Sequence, residues 1–483
     1  MIIDKIFEHA REQPEKLAIA YGPRKISYRE FASWILQARE FLVEQDLRRG
    51  SVAVLAVECM VDCWVLTLAL QSLGLTTIAV GVAERVNELQ LRNIGCIITA
   101  DRGRLLKIAP AAKGLKRIQI PEYFYLHKPT QELRELPVMT PGDGHIVLTS
   151  GTTGIRKKVL VDSKNLADWL RRRSTIYGIS ENSIVNIFNF GMWTGIGYKV
   201  PLATWHDGGS VVMHQFTDVQ PALLIDGITI AVFTPPLLER FLQAKDIKRS
   251  ETMRLIVGGA AVPRAMIAAA QARITPHVFV GIGSREAGMW ALTLIERDED
   301  SDSHIIEPSV EVQIVDDHDR PLPAGQTGLV RLRSPEMVAS YLDDEEASRA
   351  VFRHGYFYPG DLGTLRPDGR LVLNGRANNV LNVRGRKIAA EQIELALQES
   401  LAVNGVCVLP VRNDGGDEEF DVVIESEKPI DKTKLASSIS AQLPGIPYAR
   451  VQFVRALPRN DTGKIDRAAL RQQLLAERTT PSL

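Results

Sequence analysis

Cysteine is scarce. The chain has four (Cys59, Cys63, Cys96 and Cys407) in 483 residues and no Cys-x-x-Cys pair, which argues against a disulfide framework or a thiolate zinc site and suits a reducing cytoplasm. Net charge is missing as well: 58 Lys+Arg balance 58 Asp+Glu, so nothing in the charge predicts a nucleic-acid partner. No apolar run is long enough for a membrane span. The most apolar stretch, Trp64 to Leu75, falls short of the roughly 20 residues required and contains Gln71, so a buried helix is predicted there. Cys59 and Cys63 lie one helical turn apart just before it and read as helix packing rather than half a metal site. The opening MIIDKIFEHAREQPEK has charges from its fourth residue and no apolar h-region, so export is not expected. Internal repeats and low-complexity tracts are absent too.

What is present is an ordinary globular composition, 45% hydrophobic and 24% charged with 36 Gly and 25 Pro. The length is several times the usual domain of about 150 residues and predicts at least two packed units. Apolar β-rich segments (SVAVLAV, CIITA, SIVNIF, GGSVVMH, GITIAVFTP) alternate with helical ones such as VDCWVLTLALQSL and PLLERFLQAK, the pattern of α/β layers with buried strands. After Ser301 the pattern changes to EVQIVDD, GLVRLRS and RLVLNGR between turn signals, which predicts a short antiparallel or barrel-like β region. From about Ala377 a compact α+β unit of about 100 residues begins. The expected division is therefore a large α/β domain over 1–376, a link at 377–379 and a small domain over 380–483, with a site at the interface of large and small units.

Four segments can carry chemistry. In LTSGTTGIRKKV, Thr149, Ser150, Gly151, Thr152, Thr153 and Gly154 follow an apolar strand and precede Lys157. Glycines admit backbone N–H groups to an anion, hydroxyls add donors and cations offset phosphate charge, although a plain surface loop has the same composition and no Walker A ending is present. In VGIGSREAG the third glycine of a dinucleotide fingerprint is replaced by Glu286, and Glu286 itself is open between a Mg²⁺ ligand and a solvated cap. Asp361 in GYFYPGD and Arg376 in LNGR each sit at a turn, suited to ribose hydroxyls but equally an ordinary turn Asp and surface Arg. Lys464, directly after Gly463 in LPRNDTGKIDR, is a compact charge on a turn-rich loop.

Together and in this order the segments resemble the signature motifs of the adenylate-forming superfamily: acyl-CoA synthetases, peptide-synthetase adenylation domains and luciferases. TSGTTG with Lys157 resembles the phosphate loop, Gly283-Ser284-Arg285-Glu286 the Tyr-Gly-x-Thr-Glu motif, Asp361 and Arg376 the ribose pair, GRANNVLNVRGRKIAAEQIE the hinge motif and DTGKIDR the motif of the catalytic lysine. Gly258, Gly259 and Ala260 resemble the glycine-rich strand end that lines the acyl pocket and the adenine. The resemblance implies activation of a carboxylic acid by ATP and Mg²⁺, then transfer to coenzyme A or the phosphopantetheine of an acyl or peptidyl carrier protein. Lys464 and Glu286 are the implied catalytic residues, with Glu286 on the metal. Asn378 is the implied hinge of a mobile small domain, and Gly385 and Lys387 belong to the implied thiolation loop.

The chain also departs from that pattern. Arg156 and Lys158 replace Pro and Gly beside the loop lysine, two added cations compatible with phosphate. Asn382 replaces Lys. Ile282 stands at the Tyr that stacks on adenine, and Arg285 at the phosphate-contacting Thr. Trp193 or Met192 falls at the gate of the acyl pocket, where Trp193 is open between a gate and a core residue. The usual acidic partner of a substrate amine is missing, Asn189 being the nearest polar residue, so a fatty or aromatic acid is expected over an amino acid. The alternatives are a stand-alone amino-acid adenylation protein and a degenerate member that binds without turnover.

Overall fold

The structure, a computed structural model, describes residues 1–80, 86, 89–100, 115–120, 139–149, 156–188, 190–213, 227–245, 247–383, 386–403, 405–412, 418–426, 430–442, 450–459 and 465–479. The chain divides into two compact units. The first comprises Met1–Phe233, Gln243–Ile256 and Glu336–Arg349; the second comprises Thr234–Leu242, Val257–Pro335 and Ala350–Leu483.

In the first unit, a six-stranded sheet runs in the order Lys116–Ile120, Ile94–Ala100, Val52–Ala56, Thr76–Ala79, Gly144–Leu148, Lys158–Asp162. All neighbours are parallel except the last pair, which is antiparallel. The sequence VAVLA is buried at every position, as a strand covered on both faces must be. The predicted buried helix is Met60–Ser72, with the Trp64 indole N–H donating to Gly197 O at 3.1 Å. Cys63 is buried and donates to Val57 O, and burial pushes the Cys59 thiol up to about 11, so neither offers a thiolate at neutral pH. A second sheet in this unit orders Ile230–Phe233, Ile184–Asn186, Ser210–Met213, Leu17–Tyr21 and Arg24–Ser27, parallel up to the terminal hairpin. Ser27 then caps helix Tyr28–Val43, accepting from the Glu30 amide while the Glu30 carboxylate accepts from the Ser27 amide.

The second unit holds the antiparallel pair Val278–Ser284 and Gly288–Leu294. It also holds the β region expected after Ser301, a six-stranded antiparallel sheet built on Thr327–Arg333, Asp361–Leu365 and Leu371–Arg376 around Ile314, Val330 and Leu371. Its last part follows the predicted element order. Strands Gly405–Arg412, Glu418–Glu425 and Arg450–Val454 form a sheet covered on both faces. Val406, Val408, Phe420, Val422 and Ile424 pack with Ile393, Leu397, Leu435 and Ile439. The intervening Cys407, Leu409 and Val423 pack with Leu457, Leu470 and Leu474. Alternation with period two, apolar on both phases, is what gives the sheet two cores.

Candidate functional site

In the first unit, the candidate phosphate loop is the connection of a β-hairpin at the edge of the six-stranded sheet. Leu148 stands opposite Lys158, and the Thr149 amide donates to Lys157 O at 2.8 Å, so Thr149 and Lys157 face each other at its feet. Ser150, Gly151, Thr152, Thr153 and Gly154 lie outside the described residues. Lys157 Nζ donates to Asp344 Oδ2 at 2.8 Å, while Asp344 Oδ1 accepts from the Ala347 amide at 3.0 Å in the first turn of helix Glu345–Val351. The hydrogen bond from Lys157 holds the Asp344 carboxyl below its ordinary range.

Lys158 behaves differently. It is buried, its Nζ donates to Leu89 O and Gln90 O at 3.1 Å each, and burial lowers its ammonium pKa. Of the two added cations, Lys158 has its charge engaged by main-chain carbonyls, the usual requirement for a buried ammonium.

The segment after Phe190 packs beside the same strand. The Leu148 amide donates to Trp193 O at 2.9 Å, and the half-buried Trp193 lies against the cluster containing Val54, Ile78, Ile146 and Leu148. A Cβ at residue 191 would fall 2.2 Å from the indole, which is why Gly191 is glycine. Met192 is fully buried, and its carbonyl lies 3.0 Å from His145 Nε2. His145 also meets Thr77 Oγ1 at 2.8 Å and stacks on Tyr198 at 4.2 Å. Burial draws its pKa down to about 4, so it is neutral at physiological pH. Met192 is thus a core residue and Trp193 the one at the strand end. Asn189 lies outside the described residues.

Strand Arg254–Gly258 ends at Gly258, which with Gly259 and Ala260 belongs to the second unit. A Cβ on Gly258 would sit 2.7 Å from Gly281 O, and Gly259 has φ +95°, so both positions require glycine. The Gly283–Glu286 segment is the turn of a hairpin, Ser284 pairing with Gly288 across it. Ser284 Oγ accepts from the Ala287 amide at 3.1 Å, and Ser334 Oγ donates to Ala287 O. This strand runs into an antiparallel strand and not a helix, which excludes the dinucleotide fingerprint on geometry. Glu286 is buried at the turn, beside half-buried Arg285. Among the described residues no group of three His, Cys, Asp or Glu side chains converges to hold a metal. A magnesium ion held by Glu286 would have to take the rest of its shell from phosphate oxygens and water, its ordinary habit.

Asp361 and Arg376 are direct cross-strand partners. Arg376 Nε lies 3.1 Å from Asp361 Oδ1, and its Nη1 donates to Pro359 O at 2.6 Å. Two turn residues fifteen positions apart thus become one ion pair at a strand end. The guanidinium stays exposed and the carboxylate mostly covered, the Arg376 side chain being 45% and the Asp361 side chain 14% accessible.

After Arg376 the chain makes a short helical turn, Ala377–Asn379, with Asn378 exposed, and enters the hairpin Val380–Val383 and Arg386–Ala389. Gly385, Lys464 and the side chains of Asn382 and Lys387 lie outside the described residues. The feet of the lysine loop are described: Arg459 and Ile465 pair across it, and the Asp466 amide donates to Pro458 O at 2.7 Å. Arg467 then donates to Glu394 Oε1 at 2.6 Å and Oε2 at 2.8 Å, while the Val408 amide donates to the same carboxylate at 2.7 Å.

The sequence reading missed one charged cluster. Glu336 is fully buried and receives Arg172 at 2.7 Å, Arg173 at 3.0 Å and Lys199 at 3.1 Å. Lys199 lies over the Trp169 ring at 4.6 Å, and Arg173 over Tyr177 at 5.2 Å. Burial pushes the Glu336 carboxyl up, but the charges of Arg173, Lys199 and Arg172 overcome it and hold the pKa down at about 2. The run Arg171-Arg172-Arg173 was the local signal, and the partner of its last two residues lies more than 160 residues away.

Known proteins supply the remaining link. The AMP-binding enzyme family matches residues 6–342, most of the chain. A mitochondrial acyl-coenzyme A synthetase of Rattus norvegicus is 25% identical, covering 93% of this chain and 84% of its own length. The 2,3-dihydroxybenzoate-AMP ligase of Bacillus subtilis is 28% identical over 72% of this chain and 68% of its own. In fold, o-succinylbenzoate-CoA synthetase of Bacillus subtilis with its acyl-adenylate superposes with a TM-score of 0.84 at 20% identity, over 97% of both chains. Its complex with ATP and magnesium ion gives 0.83 at 20% identity, over 97% of this chain and 99% of that one. With the six collinear motifs and the layered α/β fold, these matches establish that the chain is a ligase of the AMP-binding enzyme family, within the adenylate-forming superfamily.

Proposed function

We propose that this ligase joins a fatty or aromatic carboxylic acid to a thiol in two steps. In the first, a carboxylate oxygen attacks the α-phosphorus of ATP, the bond to the β-phosphate oxygen breaks, and pyrophosphate leaves. In the second, the sulfur of coenzyme A or of a carrier protein's phosphopantetheine attacks the acyl carbon, the thiol gives up its proton, the acyl carbon–oxygen bond to the phosphate breaks, and AMP leaves with its electron pair.

Negative charge grows on the transferring phosphoryl group, and catalysis of such a step is positioning plus electrostatics. Thr149 to Gly154 and Lys157 bind the phosphates, Asp361 and Arg376 fix the ribose, and Lys464 neutralises developing charge. A magnesium ion on Glu286 would add Lewis-acid stabilisation of the phosphate oxygens. We assign residues 1–376 to adenylation, 377–379 to a hinge and 380–483 to a small rotating domain that brings Lys464 to the first step and the Gly385–Lys387 loop to the second. The reading is carried by one observation above others, the Asp361–Arg376 ion pair at the strand end, exposed through its guanidinium.

Trp193 at the end of the phosphate-loop strand suits a flat acyl group, and the aryl-acid ligase among the relatives agrees with that preference. The four cysteines are free, which suits the cytoplasm, and among the described residues no helix is long and apolar enough to cross a membrane. The test is ATP–pyrophosphate exchange with a panel of fatty, aryl and amino acids. Exchange driven by aryl or fatty acids supports the proposal; exchange with amino acids alone redirects it to carrier loading in peptide synthesis, and none with any acid removes it. Thioester formation with coenzyme A or a loaded carrier then names the acceptor.

A further inference from the structure

Three segments to which the proposed function gives separate tasks meet at a single carboxylate, that of Glu391. The residue lies in the first turn of helix Ala390–Leu401, where the unpaired amides favour negative charge. Its Oε2 accepts the backbone N–H of Arg376 at 3.2 Å. Its Oε1 accepts from the side-chain amide of Asn379 and from Arg467 Nη2, the latter at 3.2 Å.

These donors come from the end of the ribose strand, the far side of the turn Ala377–Asn379, and the residue that follows the lysine loop. The approach is close: a Cβ on Gly375, which has φ +117°, would fall 2.5 Å from Ala389 Cβ and 2.8 Å from Glu391 Oε2. Arg467 does not need Glu391 to be held, since buried Glu394 already grips both of its terminal nitrogens. Glu394 therefore anchors the fold, and Glu391, with 28% of its side chain accessible, supplies the link to the turn.

We propose that Glu391 is a positioning residue: a latch that fixes the turn at 377–379 by binding both of its sides and ties it to the root of the Lys464 loop. The Arg376 amide and the Asn379 side chain flank Asn378, so any rotation about that turn must release at least one of them. This inference rests on the two-step reading for its kinetic consequence but not for its structural one.

The test compares Glu391→Gln and Glu391→Asp with wild type in the full chain. Hydrogen–deuterium exchange of the amides over 375–380 is expected to rise at least about fivefold in both variants, with strands 405–412 and 418–425 unchanged, because only the local opening becomes easier. The ratio of pyrophosphate exchange to thioester formation is expected to shift about tenfold while KM for ATP moves less than about twofold, since a latch biases populations and not binding contacts. Unchanged exchange at 375–380 overturns the proposal, as does an equal fall in both half-reactions together with a lower unfolding midpoint, the mark of a purely structural residue. Should wild type activate no acid, the functional reading fails, and hydrogen exchange still decides the latch.

Discussion

Glu336 and Asp361 are both carboxylates paired with arginine, and they are built for different ends. Glu336 is wholly buried under three cations and two aromatic rings in the first unit. Asp361, in the second, sits at a strand end paired with Arg376, whose side chain is nearly half exposed. Full desolvation makes an ion cluster costly to disturb and closed to ligands, whereas a strand-end pair with an exposed member can exchange part of its bonding for a substrate. Stability should therefore answer to Glu336 and catalysis to Asp361.

The largest expected effect separates the two most sharply. Glu336→Gln removes the buried carboxylate charge shared by Arg172, Arg173 and Lys199 and should destabilise the protein by about 3–5 kcal/mol in urea unfolding. The fraction that remains folded should keep its activity. Asp361→Ala should do the reverse, lowering kcat/KM for ATP by about 10- to 100-fold, the worth of hydrogen bonds to a charged group, while unfolding shifts by under about 0.5 kcal/mol. A matching loss of stability in Asp361→Ala would erase the distinction.

pH offers a milder test. The folded pKa of Glu336 is depressed from 4.5 to about 2, so its contribution is complete above 4.5 and is lost as pH falls towards 2. His145 and His304 are both depressed from 6.5 to about 4 by burial. The unfolded chain protonates them first, so they should cost stability as pH falls from 6.5 towards 4. Acid unfolding should therefore show two windows, and Glu336→Gln should remove only the lower one. The smallest effect is expected at Arg285. Substituting Thr should change the apparent affinity for ATP or acid by about two- to tenfold, as fits one cation near a substrate anion. Identical kinetics would place its side chain outside the chemistry.

The contrast also explains what could be read from the sequence. Element order in the last hundred residues was legible because period-two alternation and helical spacing are local. Asp361 and Arg376 were legible as two turns, but their partnership emerged only from the strand register that sets them opposite each other. Lys157 and Lys158 are neighbours of the same type with opposite fates. Lys158 begins the strand KVLVD and is buried with it, while the partner of Lys157, Asp344, lies 187 positions away. Glu336 was not legible because its partners lie 137 to 164 positions away, whereas Glu391 lies inside the quoted hinge motif and only the turn at Ala377–Asn379 brings its donors onto it.

The most direct test of the account is ATP–pyrophosphate exchange by Lys464→Ala beside wild type, with the best acid of the panel and magnesium present. Wild type is expected to show strong exchange and the variant a loss of about a hundred- to a thousandfold, as when a main source of transition-state charge stabilisation is removed. Its circular dichroism and urea midpoint should be unchanged. Exchange that persists at the wild-type rate in a folded Lys464→Ala protein would contradict it.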